Sequence, residues 1–211
     1  MMQQVTNKKY MKNITHKKVL AVEGKDECNF FKALLDDMGI TEYQIYDIGG
    51  KPKFKIKIPA LIKTSDLDFD KVEVFAIIRD ADGNHRGAFE SISRIVKRAG
   101  LEEPLKVGTF GDGNPKVGIF IMPGNSENGM LEDLCLQTVK NRPVMEHVDH
   151  YIDCVQKIEE GPKIIAKAKA QVYLASKPET VYSVGLGAQK KYWDFTSDAL
   201  DDLKIFLENM R

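Results

Sequence analysis

The sequence carries no excess of either charge: 31 Lys and Arg stand against 31 Asp and Glu. A protein that coats nucleic acid needs a broad basic field, so that class is excluded, and only local basic patches are left to meet phosphate. Cysteine is scarce as well. Cys28, Cys135 and Cys154 are odd in number, far apart and without a Cys-x-x-Cys pair. This excludes a disulfide framework and suits reduced thiols in a cytoplasmic protein. No apolar run approaches the ~20 residues that span a bilayer, so no membrane partner is expected. The opening residues are polar and basic without an apolar stretch, unlike a secretory signal. The sequon Asn13-Ile14-Thr15 therefore has no export to act in. Internal repeats, low-complexity tracts and a clear interdomain linker are also missing.

What is present is an ordinary globular composition, 43% hydrophobic and 29% charged over 211 residues, enough for one sizeable core with a small appendage. Its most informative stretch runs from Val72 to Gly83, V-E-V-F-A-I-I-R-D-A-D-G. The β-branched and aromatic run Val74, Phe75, Ile77, Ile78 predicts a buried strand, and Asp80 and Asp82 stand at its carboxyl end, where open α/β sheets gather ligands. Two hard oxygen donors at that place suit Mg²⁺. Asp-x-Asp-Gly is equally the composition of a plain polar turn.

Around this stretch the pattern is mostly β-α-β. Val19 to Val22 predicts a strand that runs into Glu23-Gly24. Phe31, Leu34, Leu35 and Met38 predict the following helix, capped at Gly39, and Tyr43 to Ile48 a second strand. Lys51 to Lys57 (K-P-K-F-K-I-K) is the densest basic segment, and it reads two ways. Lys51, Lys53 and Lys55 could follow a phosphate backbone, with Phe54 against a base. Alternatively the segment is the solvated face of a short helix burying Phe54, Ile56, Leu61 and Ile62. Arg79 and Arg86, beside the Asp pair, join the three lysines as candidate nucleic-acid contacts. Leu105–Phe110 and Lys116–Met122 predict two strands of a hairpin, and a helix opens after the loop from Pro123 to Gly129. Glu132, in the first turn of that helix, either complements its N-terminus or adds a third acidic contribution to a metal site. From Val144 onward the chain reads as helical, with Val184-Gly185-Leu186-Gly187 as a connector before a last helix over about 198–209.

If the strands before Glu23 and Asp80 are neighbours in one parallel sheet, their carboxylates meet at one edge. Such a group raises its own pKa values unless a cation neutralises it. A divalent ion would remove that penalty and assist phosphoryl chemistry.

Val22-Glu23-Gly24-Lys25-Asp26-Glu27 resembles the Glu-Gly-x-x-Glu motif of Toprim domains, and Arg79-Asp80-Ala81-Asp82 resembles their Asp-x-Asp motif. Toprim domains occur in topoisomerases, primases, small maturation ribonucleases and OLD-type nucleases, and the order of the motifs along residues 17–125 is also similar. The segment Gly129 to Leu134 and the lysines downstream resemble the extended form in OLD-type nucleases and stand-alone Toprim-like proteins.

The resemblance implies a Rossmannoid three-layer α/β sandwich with a mainly parallel sheet and a helical C-terminal extension. It divides the chain into a flexible segment over 1–16, a core over 17–142 and the extension, packed on the core, over 143–211. It implies Mg²⁺ or Mn²⁺ at Asp80 and Asp82, with Glu23 as metal-linked or general acid/base carboxylate, Glu27 as the second Glu of the nuclease motif, and Glu132 at a second metal position. Lys169, or alternatively Lys167, would steady the charged transition state. No ATPase segment, topoisomerase tyrosine domain or primase zinc or helicase-binding module accompanies the motifs. The expected activity is therefore hydrolysis of DNA or RNA phosphodiesters. The alternative is a non-catalytic module that binds a nucleotide or a nucleic-acid end, as partner of a separately encoded ATPase.

Overall fold

The computed structural model describes residues 13–63, 68–124, 127–158 and 160–211. Most of the N-terminal segment (1–12), and Asn125 and Ser126 of the loop after Met122, lie outside the described residues. From Asn13 the chain is tied down: Ile14 is buried, and Gln44 Oε1 accepts a hydrogen bond from Thr15 N at 2.8 Å.

Strands β1 (Lys18–Val22), β2 (Tyr43–Asp47), β3 (Val74–Asp80), β4 (Thr109–Phe110) and β5 (Lys116–Met122) form one sheet in the order β2-β1-β3-β5-β4. All neighbours are parallel except β4, which lies antiparallel on β5 at the edge. Helix α1 (Lys25–Asp37) carries the chain from β1 to β2. Helix α2 (Phe54–Lys63) then carries it back over β1 to β3, and α3 (His85–Arg98) leads on from β3. This reversal of direction between β1 and β3 requires helices on opposite faces, because parallel crossovers are right-handed. It also opens a crevice where the β1 and β3 carboxyl ends part.

Alternation along each strand sorts the core into two. Leu20, Val22, Ala76, Ile78, Phe120 and Met122 face α1 and the C-terminal helices. Val19, Ala21, Phe75, Ile77, Val117 and Ile119 face α2 and α3. The layer beside α1 is completed by α4 (Leu131–Val139), α5 (Val144–Ile158), α6 (Ile165–Ala175), α7 (Val184–Gln189) and α8 (Asp201–Leu207). The helical extension thus shares one hydrophobic core with α1 and the sheet. Full burial of each Phe or Leu there contributes about 1.5–3 kcal/mol. The result is the expected three-layer α/β sandwich with a mainly parallel sheet.

Several local expectations need correction. Leu105 is almost fully exposed and the β4 strand is only two residues long, because Gly108, with φ +75°, turns the chain just before it and Thr109 Oγ1 donates back to Lys106 O. Ile56 is exposed, and Ile58, one turn beyond Phe54, takes the inward place beside Leu61. Ile158 points to solvent at the end of the α5 stripe. Val184 to Gly187, expected as a connector, begins helix α7, capped by Ser183, whose hydroxyl accepts from Leu186 N.

Candidate active site at the sheet edge

The register of β1 on β3 pairs Ala21 with Ile77, so Glu23 comes level with Arg79 at the crevice. Adjacent residues then part company. Arg79 continues the Phe75, Ile77 row toward α2 and α3, while Asp80 continues the Ala76, Ile78 row toward α1 and α4. One strand end therefore delivers a cation to one face of the sheet and an anion to the other.

Around Asp80 the carboxylates of α1 and α4 gather, while Glu23 continues the Val19, Ala21 row and reaches the group from the edge. Asp80 is 9% exposed and its Oδ1 accepts from Leu131 N, at the start of α4, at 3.1 Å. Burial holds its carboxyl well above the ordinary range, and Glu27, Glu23, Glu132 and Asp82 raise it further. Burial also raises Glu23, Glu27 and Glu132, with Asp82 adding to the effect on Glu23 and Glu23 to that on Glu27. The Cys135 thiol, fully buried in α4, is likewise pushed up by burial, then by Glu132, Asp26 and Asp80. All five carboxylates expected at the site are thus brought into one electrostatic group.

The backbone holds them there. Asp82 sits at φ +52°, a left-handed conformation that Asp tolerates better than most residues. It exchanges two backbone hydrogen bonds of 2.8 Å with Gly129. Gly129 in turn has φ +141°, and a Cβ there would lie 2.8 Å from the Asp133 carboxylate that accepts from Met130 N at the start of α4. Glu23 is gripped through Lys51: its backbone O accepts from Gly50 N, and its Oε1 from Lys51 N at 3.2 Å. The same lysine donates from Nζ to Asp82 Oδ2 at 2.5 Å. Glu23 Oε2 is buried with no hydrogen-bond partner.

These are the hard oxygen donors that Mg²⁺ or Mn²⁺ prefers, and an orphaned buried carboxylate oxygen among mutually repelling neighbours is what a divalent cation would satisfy. In composition the site fits the ion. Among the described residues, however, no group of three or more His, Cys, Asp or Glu is spaced to hold a metal as it stands. Lys51 occupies Asp82 instead.

The remaining candidates divide. Lys167 reaches Glu132 at 3.8 Å, whereas Lys169 is bound to Asp149 of α5 at 2.6 Å. Residues two apart on a helix point to nearly opposite sides, so α6 brings only Lys167 to the acidic group. Lys169, the first expectation, thus lies with α5, and Lys167, the alternative, lies beside the acidic group. Lys51, Lys55 and Arg79 line a cavity of about 460 Å³ between α2 and α3. Lys53 and Arg86 are not among its lining residues; Arg86 pairs with Glu90 along α3.

Sequence reasoning missed Asp26, although it lies inside the Glu-Gly stretch. Its carboxylate accepts from Val184 N and Gly185 N, fastening α7 to the start of α1. A Cβ on Gly185 would come within 2.3 Å of Asp26 O, so the Gly-x-Gly pattern marks a close helix approach. It missed Asn84 as well, which caps α3 by accepting from Gly87 N, although Asn immediately before an apolar helical pattern is a standard start signal.

The family model described as a protein of unknown function, DUF3226, matches residues 17–211. No curated protein matches the chain. A solved structure, that of a hypothetical protein from Pyrococcus horikoshii OT3, is similar with a TM-score of 0.53 and 14% identity, over 93% of this chain and 95% of that one. At this identity the likeness shows the fold alone. Among the described residues, no helix is long and apolar enough to cross a membrane.

Proposed function

We propose that this chain, which belongs to the DUF3226 family of proteins of unknown function, is a Toprim-type phosphodiesterase that uses Mg²⁺ or Mn²⁺ to hydrolyse nucleic acid in a cytoplasmic setting. The observation that supports this most is Asp80: a buried carboxylate at the crevice between β1 and β3 whose charged neighbours are four further carboxylates. A buried acid raised by burial and by several nearby acids is expensive for the fold, and such groups concentrate at functional sites.

Asp80, Asp82 and Glu132 would hold the ion, with Glu27 and Glu23 beside them. When bound, the ion neutralises charge on the scissile phosphate and makes water a stronger acid. Glu23, with its pKa raised by burial and one carboxylate oxygen unpartnered, suits proton transfer to or from the reacting water. Lys51 bridges Glu23 and Asp82 and would turn from Asp82 toward a phosphate oxygen. Lys167 offers a second cation from the α6 side.

The test is calorimetric titration of Mn²⁺ into wild type and the Asp80→Asn, Asp82→Asn double variant, followed by a cleavage screen on DNA and RNA. Binding and cleavage by wild type alone are expected. A double variant that cleaves at the wild-type rate would sink the assignment.

A second reading draws on the Lys51–Asp82 contact and the spacing of the carboxylates, neither of which is that of an assembled metal site. It makes the chain a non-catalytic module for a nucleotide or a nucleic-acid end, partnering a separate ATPase. It expects stoichiometric binding with no turnover on any polynucleotide when Mn²⁺ is present.

A further inference from the structure

The cavity between α2 and α3 is a built site that the acidic group does not use. Arg79 lines it and is 6% exposed, on a central strand. Its Nε is buried without a hydrogen-bond partner, and no hydrogen bond or ion pair holds its guanidinium among the described residues. Glu23 is within electrostatic reach but not in contact. Guanidinium groups taken out of water are normally paired with a carboxylate or a phosphate. Here the lining supplies no partner: it contains Lys51, Lys55 and Arg79 and no acidic residue.

The rest of the cavity has the same preference. Gly83, Asn84 and Gly87 line it at the N-terminus of α3, a 14-residue helix whose dipole favours an anion. Ser91, one turn further along, adds a hydroxyl. Phe54 and Ile95 give it an apolar wall. A volume of about 460 Å³ falls within the range of small-molecule sites and exceeds what one tetrahedral anion fills, leaving room for an attached sugar. Lys51 belongs both to this cavity and to the Asp82 contact, so an occupant would lie directly beside the acidic edge.

We propose that this cavity binds a phosphomonoester: a terminal phosphate with its sugar, held by Arg79 and Lys55 and the start of α3, and presented by a free nucleotide or by the end of a nucleic-acid strand. The phosphate requirement stands on the cavity itself. Its use in selecting a substrate rests on the proposed phosphodiesterase reading.

The experiment keeps the two apart by measuring binding in EDTA, where cleavage plays no part. Nucleoside 5′- and 3′-monophosphates, the corresponding nucleosides, and short oligonucleotides with and without a terminal phosphate are titrated into wild type, Lys55→Gln and Arg79→Met. Lys55 is exposed, so its variant keeps the fold even if Arg79→Met does not. Wild type is expected to prefer phosphorylated over hydroxyl-ended ligands by about tenfold or more, the effect of one or two charge-assisted hydrogen bonds. Each folded variant is expected to lose most of that preference, and inorganic phosphate to compete. A preference confined to mononucleotides assigns the cavity to a free nucleotide; one shared by oligonucleotides assigns it to a strand end. Equal binding of phosphorylated and unphosphorylated ligands by wild type, or a preference unchanged in Lys55→Gln and in folded Arg79→Met, overturns the proposal. A phosphate preference that persists while no polynucleotide is cleaved with Mn²⁺ present would fell the enzymatic reading and leave the cavity standing.

Discussion

The two sides of the sheet edge are built from neighbouring residues and are opposite in character. Toward α1 and α4, Asp80 is buried with four carboxylates as its charged neighbours. Toward α2 and α3, Arg79 is buried with an unpartnered Nε in a cavity lined by two lysines and no acid. Lys51 on Asp82 and Lys167 near Glu132 offset only part of the acidic side, and no ion pair among the described residues offsets Arg79. Each keeps uncompensated charge out of water, which lowers stability, and each would be relieved by a ligand of opposite charge. A polynucleotide with its divalent ion carries both kinds of group, an anion for one side and a cation for the other. Lys51 touches both sides.

The sharpest way to break this contrast is to remove charge from the acidic side. Asp80→Asn is expected to abolish metal-dependent cleavage and metal binding while raising the melting temperature of the metal-free protein, because the asparagine still accepts from Leu131 N without the buried charge. A metal-free variant that melts below wild type would show that the charge stabilises the fold. The scaffolds of the two sides differ next. Gly185→Ala drives a Cβ into the backbone oxygen of Asp26 and is expected to cost about 1–3 kcal/mol in urea unfolding. Gly87→Ala on the basic side meets the capping Asn84 side chain rather than backbone, and its cost should stay near that of a lost cap, about 1 kcal/mol.

Titration then separates the sides without mutation. Glu23, Glu27, Asp80 and Glu132 all have raised pKa values in the fold. The metal-free fold therefore holds more protons than the unfolded chain between the ordinary carboxylate range and those raised values. Stability from these groups is fully present below the ordinary range and is lost as pH rises through the folded values. The depressed carboxylates Asp36, Glu103, Asp194 and Glu208 lose their contributions only below the ordinary range, so they do not oppose this trend. In EDTA the melting temperature should fall as pH rises above the ordinary carboxylate range, and Mn²⁺ should reverse the fall. A flat profile would mean that the carboxylates are not strained by one another.

The smallest expected effect separates two lysines. Lys167→Met should slow cleavage measurably, whereas Lys169→Met should leave cleavage unchanged and alter stability by no more than about 1 kcal/mol, as for a partly exposed ion pair. The reverse result would move the catalytic cation to the far side of α6.

Much of the acidic side was legible in the sequence. A β-branched run that ends in Asp-x-Asp predicts a strand end, and the β-α-β order makes the strands before Glu23 and Asp80 candidates for neighbours. Period-2 alternation also fixes that Arg79 and Asp80 face opposite ways once β3 is accepted as a strand. The role of Lys51 was not legible, because its contacts run to Glu23 and Asp82 across 28 and 31 residues of chain. Glycine misled in α7: Gly-x-Gly marks a turn when read locally, but here Gly185 and Gly187 are small because α1 and Trp193 press against them. The choice between Lys167 and Lys169 was equally closed to the sequence, since both lie on α6 and only the positions of α4 and α5 decide which one meets Glu132.

Apart from the short β4, helix α7 and the facing of Ile56 and Ile158, the sequence by itself determined which segments are strands and helices, which faces are apolar and which residue types stand at the strand ends. These follow from local periodicity and from side-chain chemistry, and need no partner to be read. The tertiary structure alone decided that Arg79 lines a cavity with its Nε unpartnered among the described residues, that Lys51 joins the two sides, and how closely Glu27 and Glu132 approach Asp80. Electrostatic pairing depends on distance through space, and the distances here are set by how α1, α2, α3 and α4 pack on the sheet.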